Sequence, residues 1–189
     1  VDTMARKLPE DSLKSSARQI VGILSESIQL SRSLSMDLSP PALHQGDLSA
    51  GLQWLVHSMQ QKHEFKVELG VEASAELADE VKFLVYESVR ELLFNAVKHA
   101  GVKKARVHLQ KEGESRLQIL VSDEGDGFDL TCLNTGPDQS GGFGLFSIRE
   151  RIGLIGGRLE IDSAPGKGSR FTLVVPRTTN PGTAAEKIL

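Results

Sequence analysis

Three short segments of this 189-residue chain carry side chains whose types and spacing could do chemistry together. They are ELLFNAVKHA at 91–100, DEGDG at 123–127 and GGFGL at 141–145. On a helix, Glu91, Asn95 and Lys98 would share one face, because they stand at positions i, i+4 and i+7. Mg²⁺ takes hard oxygen ligands, and phosphate groups pair with an ammonium group. A stripe with a carboxylate, an amide oxygen and an ammonium group therefore predicts a site for a nucleotide with its magnesium.

Four amphipathic helices are predicted from apolar residues that recur at helical spacing. They cover residues 12–38, 47–62, 79–100 and 145–155. Asp47 is placed to cap the second helix, and Gly156 follows the end of the fourth. The third helix would carry the Glu91 stripe on one side and an apolar face on the other. The first helix has an apolar stripe that needs a partner helix to cover it.

Five strands are predicted from alternating apolar and polar residues. They cover residues 65–71, 104–111, 115–122, 158–163 and 169–175. In the first strand Phe65, Val67, Leu69 and Val71 are expected to face the core. The order of elements indicates the α+β class, a sandwich with helices on one face of a mixed sheet. About twenty residues before the fourth helix show no periodicity and are expected to form a lid.

Composition excludes several classes of protein. The formal net charge is −3 and basic residues are scattered, so neither nucleic acid nor an anionic membrane surface is an expected partner. The single cysteine, Cys132, rules out an intrachain disulfide and a zinc cluster of cysteines. No apolar run approaches the roughly 18 residues of a membrane helix. We expect a cytoplasmic piece of a protein that, at full length, could be membrane-anchored.

The three segments resemble the catalytic region of two-component sensor histidine kinases, which has the Bergerat fold shared with gyrase B, Hsp90 and MutL (the GHKL superfamily). ELLFNAVKHA is similar to the N box of that family, DEGDGF to its first glycine box, and GFGL with the following IRER to its second. GKGSRF, at 166–171, is similar to the closing strand. The KHA, GLFSIRERI and LSPPAL segments most resemble the subfamily whose kinases signal to helix-turn-helix response regulators.

The resemblance implies ATP and Mg²⁺ as cofactors and assigns roles to individual residues. Asn95 would bind Mg²⁺ through its side-chain oxygen, and Glu91 would order a magnesium-bound water. Lys98 and His99 would meet phosphate or ribose oxygens, with Glu91 and Lys98 as the catalytic pair. Asp123 would accept a hydrogen bond from the adenine amino group, which favours ATP because guanine presents a carbonyl there.

The remaining cofactor-binding residues that the resemblance implies belong to the glycine boxes and the closing strand: Gly125, Gly127, Gly142, Gly144, Leu145 and Ser169. The first two glycines would let the backbone pass close to the base, where a Cβ would intrude. The next two would hinge the lid and, at the start of a helix, present amides to the phosphates. Ser169 stands where the family usually has threonine.

The resemblance also implies a domain organisation. Residues 1–46 would be part of a dimerisation bundle, 47–176 the ATP-binding catalytic domain, and 177–189 a tail or linker. The family's phosphoacceptor histidine lies on the first bundle helix beside an acidic residue, but here only His63 has such a neighbour, well past the bundle. We therefore predict that the acceptor is missing from this fragment, that the full-length protein is a homodimer through its bundle, and that its partner is a response regulator.

Two other functions remain open for the same segments. A nucleotide-sensing dimer module without catalysis would need the same boxes, and sequence does not report a rate. A Bergerat-fold serine kinase shares them too, although the long helix ending in LSPPAL disfavours it.

Overall fold

The computed structural model describes residues 47–72, 77–131 and 142–177, together with Ile20, Ile23, Leu24 and Leu43. The chain divides into two compact units, residues 1–40 and residues 41–189. In the first unit, Ile20, Ile23 and Leu24 are helical and each is more than half exposed. The rest of the predicted helix over 12–38, and residues 132–141 of the predicted lid, lie outside the described residues.

The described residues of the second unit form three long helices and five strands. They are α1 (Leu48–His63), β1 (Lys66–Val71), α2 (Asp79–His99), β2 (Lys104–Glu112), β3 (Arg116–Asp123), α3 (Gly142–Leu154), β4 (Arg158–Ser163) and β5 (Ser169–Pro176). The strands form one sheet in the order β1-β2-β3-β5-β4. Strands β1 and β2 pair in parallel through the crossover helix α2, and the other pairs are antiparallel. The predicted α+β class is confirmed.

Helix α1 begins where the sequence predicts. Asp47 accepts hydrogen bonds at Oδ1 from the backbone N–H of Ala50, at 3.0 Å, and from the Ser49 hydroxyl, at 2.6 Å. These bonds satisfy a backbone donor that the helix itself leaves without a partner. The helix then buries the predicted apolar side, whose fully buried members are Leu48, Leu52, Leu55 and Met59.

Helix α2 is the longest described element and packs its apolar face into the core. Its buried residues include Val81, Val85, Tyr86, Val89, Leu92, Leu93 and Ala96. They recur at the 3.6-residue period, so the side of α2 that carries Glu91 and Asn95 is left for the site. Because α2 is the crossover between two parallel strands, its position over the sheet is fixed by both of its ends.

The sheet sends one set of alternating side chains into the core. Buried residues of β2, β3 and β5, such as Val107, Ile119 and Leu173, join the same cluster as the apolar faces of the helices. The expected burial of Val71 is wrong, since this residue is 41% exposed. Val71 is the last residue of edge strand β1, where strand pairing exists on one side only. Among the described helices, none is long and apolar enough to cross a membrane.

Candidate functional site

The site is built on the C-terminal part of α2, from Glu91 to His99. Glu91 and Asn95 are half-buried there, whereas Lys98 and His99 are exposed in the final turn. The basic pair stands at the carbonyl end of the helix, where the helix dipole favours cations. Glu91, Asn95 and Lys98 thus stand at positions i, i+4 and i+7 of one continuous helix, as the spacing predicts, and His99 follows them as its last residue.

The Glu91 carboxylate lies against the start of α3. A Cβ placed on Gly144 would be 2.8 Å from Glu91 Oε1, so with any other residue here the carboxylate would have to move from its present position. Helix α3 begins at Gly142, three residues earlier than predicted, and both glycines lie in its first turn. Backbone N–H groups of a first turn have no partner within the helix, and the dipole at that end favours an anion. Glu91 is therefore held beside backbone donors suited to phosphate.

Asp123 is the last residue of β3, the central strand of the sheet. It is paired in register with Ala105 on β2 and with Ser169 on β5. Its Oδ1 accepts a hydrogen bond of 2.9 Å from the backbone N–H of Gly125. Burial raises the pKa of the Asp123 carboxyl above its usual range, and hydrogen bonds from the backbone of Gly125 and Ser169 oppose part of this rise. A half-buried carboxylate with this surrounding is a strong acceptor for a ligand donor.

The first glycine box packs tightly against its own protein. A Cβ on Gly125 would overlap the carbonyl oxygen of Ala100, at the end of α2. Gly127 has a positive φ of 60°, and a Cβ there would overlap the carbonyl oxygen of Ala164. The backbone N–H of Asp126 also donates to Ala100 O at 2.8 Å. These glycines let the loop lie flat between α2 and the β4–β5 turn, and their contact with a base stays a prediction.

Leu145 and Ser169 are placed differently from the polar residues of the site. Leu145 is 8% exposed and belongs to the hydrophobic core, so it anchors α3 beneath the site. Ser169 is 9% exposed, begins β5 and lies directly across from Asp123. Nearby, the ring of Phe128 stacks on Phe171 with centroids 6.4 Å apart. This contact holds the end of the first glycine box against β5.

Ser163 is the residue that sequence analysis did not identify. It ends β4, and its hydroxyl makes three hydrogen bonds: to Gly168 O (3.0 Å), with Ser169 Oγ (3.1 Å) and from the backbone N–H of Phe128 (2.9 Å). The available signal is its inward position two residues after Ile161 and four after Leu159. A polar residue at a buried strand position needs hydrogen-bond partners, and this could have drawn attention to it.

Comparison with known proteins identifies the domain type. The profile of the "Histidine kinase-, DNA gyrase B-, and HSP90-like ATPase" family matches residues 80–179. An uncharacterised sensor-like histidine kinase of Chloroflexus aurantiacus is 38% identical over 100 residues, which cover 53% of this chain and 17% of that protein. The oxygen sensor histidine kinase NreB of Staphylococcus carnosus is 36% identical over 171 residues, covering 89% of this chain and 48% of NreB. The chain thus spans half or less of these relatives.

Solved structures with the same fold include two histidine kinases. The blue-light activated histidine kinase of Erythrobacter litoralis EL346 matches with a TM-score of 0.63 at 20% identity, over 83% of this chain and 51% of that one. The Acinetobacter baumannii histidine kinase AdeS matches with a TM-score of 0.58 at 18% identity, over 91% of this chain and 87% of that one. At these identities the likeness concerns the fold.

Proposed function

Because the chain belongs to the family of histidine kinase-, DNA gyrase B- and HSP90-like ATPases, we propose that it binds Mg-ATP and transfers the γ-phosphoryl group to a histidine of a dimerisation bundle. The proposal places this step in two-component signalling, with a response regulator as the next acceptor. One observation carries it above all. The Glu91 carboxylate of α2 lies against the first turn of α3, and the half-buried Asp123 ends the central strand of the same domain.

Asp123 is the residue that would recognise the base. Its carboxylate accepts N–H groups of the protein already and has capacity for a further donor. The adenine amino group is such a donor, whereas the guanine carbonyl at the equivalent position would face a negative acceptor. ATP is the nucleotide that this arrangement favours.

Asn95, Glu91 and Lys98 would serve the phosphates and the metal. Asn95 offers an amide oxygen to Mg²⁺, and Glu91 offers a carboxylate to a magnesium-bound water. This suits an ion that takes one or two protein ligands and fills its octahedron with phosphates and waters. When bound, Mg²⁺ would neutralise charge on the phosphates. Lys98 supplies an ammonium group, and His99 beside it reaches the same exposed end of α2.

The amides of the first turn of α3, which holds Gly142 and Gly144, would complete the phosphate site. In the transfer step a nitrogen–phosphorus bond to the acceptor imidazole forms as the bond between the γ-phosphorus and the ADP oxygen breaks. The domain contributes by holding the phosphate in line and by stabilising its charge through Lys98 and the amides, while Glu91 would order a magnesium-bound water.

The acceptor histidine belongs, in this proposal, to a bundle helix that this chain does not carry. His63 ends α1 with its ring edge-on to Phe94, at a centroid distance of 5.1 Å. His108 lies on β2 with Nε2 3.2 Å from a Glu72 carboxylate oxygen. Neither is on a bundle helix, and the long apolar stripe over 12–38 would serve as the docking partner for the missing helix in a homodimer.

Transfer of γ-³²P from ATP tests the proposal. The chain is incubated with Mg²⁺ and labelled ATP, with and without a separate bundle hairpin from a related kinase that carries the acceptor histidine. We expect acid-labile, alkali-stable label on the hairpin alone, and none when Mg²⁺ is removed. Label on a histidine of this chain would overturn the prediction that the acceptor histidine lies elsewhere. ATP binding without transfer would indicate a nucleotide sensor, and acid-stable label would indicate a serine kinase.

A further inference from the structure

Ser163 stands at the centre of a hydroxyl network beside the base site. Its position follows from the register of the sheet, which aligns Ala105, Asp123, Ser169 and Ser163 in one row across β2, β3, β5 and β4. Directly paired residues of antiparallel strands point to the same face and lie close together. Along this row, Ser169 therefore lies between Asp123 and Ser163.

The hydrogen bonds of Ser163 fix which atoms donate. A serine hydroxyl has one hydrogen and two acceptor positions. Gly168 O can only accept, so the single hydrogen of Ser163 goes to it, at 3.0 Å. The backbone N–H of Phe128 can only donate, and it takes one acceptor position at 2.9 Å. The contact of 3.1 Å between the two hydroxyl oxygens must then use the hydrogen of Ser169.

This assignment removes the usual ambiguity of a serine hydroxyl. A free hydroxyl rotates and can donate to one ligand and accept from another. Ser169 has committed its hydrogen to Ser163, so it presents only lone pairs to anything else. In the proposed site Asp123 and Ser169, which are paired in register, are expected to face the base, and both are then acceptors. An exocyclic amino group suits two acceptors, whereas a carbonyl oxygen at the same position suits neither.

We infer that Ser163 is a specificity-determining residue, which directs the hydroxyl hydrogen of Ser169 away from the base site and thereby strengthens the choice of an amino-bearing base. The inference rests on the proposed nucleotide site. Ser163 acts through Ser169 and does not touch the nucleotide, so it is a positioning residue. Without it the Ser169 hydroxyl could rotate and donate to a carbonyl oxygen.

The test compares ATP with inosine triphosphate, which carries a carbonyl where ATP carries its amino group. Dissociation constants of both Mg-nucleotides are measured by calorimetric titration for the unaltered chain and for Ser163→Ala. We expect the preference for ATP to fall about tenfold in Ser163→Ala, the worth of one hydrogen bond, mostly because inosine triphosphate binds more tightly. Ser163→Thr retains the hydroxyl and should keep the original preference.

A second background separates orientation of the hydroxyl from general structural support. In Ser169→Ala the hydroxyl is gone, so adding Ser163→Ala should leave the ratio of the two dissociation constants unchanged. If the alanine variant does not fold, Ser163→Cys takes its place, because a thiol has a similar shape but is a weak hydrogen-bonding group. We then expect its preference for ATP over inosine triphosphate to be reduced.

Two failures are distinguishable. If the unaltered chain prefers ATP and the altered Ser163 weakens both nucleotides by the same factor, the residue is only structural and the inference is overturned while the nucleotide site stands. If the unaltered chain binds neither nucleotide, the proposed function itself is overturned.

Discussion

Asp123 is the residue on which nucleotide choice should depend most directly. In Asp123→Asn the amide offers a donor in place of one acceptor, so a guanine carbonyl would no longer be repelled. We expect ATP affinity to fall about tenfold or more, as for loss of a hydrogen bond to a charged group, and the preference over GTP to disappear. Thermal melts with each Mg-nucleotide measure this. A variant that keeps the full ATP-over-GTP preference would show that another residue reads the base.

The same carboxyl should leave a trace in the pH dependence of stability. Burial raises its pKa in the folded state above the unfolded value of about 3.9, so the folded state holds the proton more tightly. Its contribution to the free energy of unfolding is therefore greatest below the unfolded pKa and declines as pH rises through the folded pKa. Urea unfolding of the unaltered chain and of Asp123→Asn is measured from about pH 3.5, close to the reference pKa, to about pH 7. We expect the free energy of unfolding of the unaltered chain, minus that of Asp123→Asn, to fall as pH rises. A rise of this quantity with pH would contradict the raised pKa.

Gly144 offers a sharp test of how α3 meets α2. Alanine in place of a helical glycine gains about 1 kcal/mol of helix propensity. A Cβ at Gly144 would press on Glu91 Oε1, whereas a Cβ at Gly153 of the same helix meets nothing within 4 Å. We therefore expect Gly153→Ala to stabilise the fold and leave nucleotide binding intact. Gly144→Ala should displace the carboxylate and weaken Mg-ATP binding, measured by titration calorimetry with and without Mg²⁺. Equal effects of the two substitutions would show that Glu91 does not depend on this contact.

At the scale of the elements, the connection after β3 depends on the shape of its backbone. Gly127 and Gly113 have similar positive φ angles, 60° and 65°, so alanine at either position carries a strain of roughly 1–2 kcal/mol. Only Gly127 has a backbone carbonyl, that of Ala164, in the way of a Cβ. Gly127→Ala should therefore lower the free energy of unfolding by clearly more than Gly113→Ala, as measured by urea unfolding. If the two cost the same, the loop moves freely away from the β4–β5 turn.

The elements also show what sequence can and cannot predict here. Periodicity predicted α2 with its polar stripe, because in a long amphipathic helix the residue spacing alone shows which side chains share a face. It also predicted the end of β3 to within one residue, since the predicted strand stops at residue 122 and the observed one at Asp123. The first turn of α3 was missed, because two glycines lower helix propensity, although contact with α2 holds the turn. Val71 was misjudged since alternation does not report which strand lies at the edge.

Ser163 was missed for a different reason. Its role depends on which residue of β5 lies opposite it, and strand register is a property of the assembled sheet. The sequence places Ser163 at the end of a predicted strand, just before a Pro-Gly turn, and does not show which residue lies opposite it.

At the scale of the whole molecule, the site depends on contacts between distant parts of the chain. Strands β3 and β5 are neighbours in the sheet although α3 and β4 lie between them in sequence. That arrangement brings Asp123 beside Ser169, while α3 returns over the sheet to meet Glu91 on α2. The nucleotide would therefore contact both the helices and the sheet, and its binding would stabilise the whole domain against unfolding.

The central place of β3 has a consequence for the exchange of amide hydrogens with solvent. Both edges of β3 are paired, so its amides should exchange only when the entire domain unfolds, whereas those of edge strand β1 can exchange by local fraying. ATP at 100 times its dissociation constant adds about 2.7 kcal/mol to global unfolding, so exchange at Ile119 and Val121 should slow about a hundredfold. Amides at the outer edge of β1 should slow much less. A nucleotide that touches only the last residue of β3 would thus be recorded along the length of that strand.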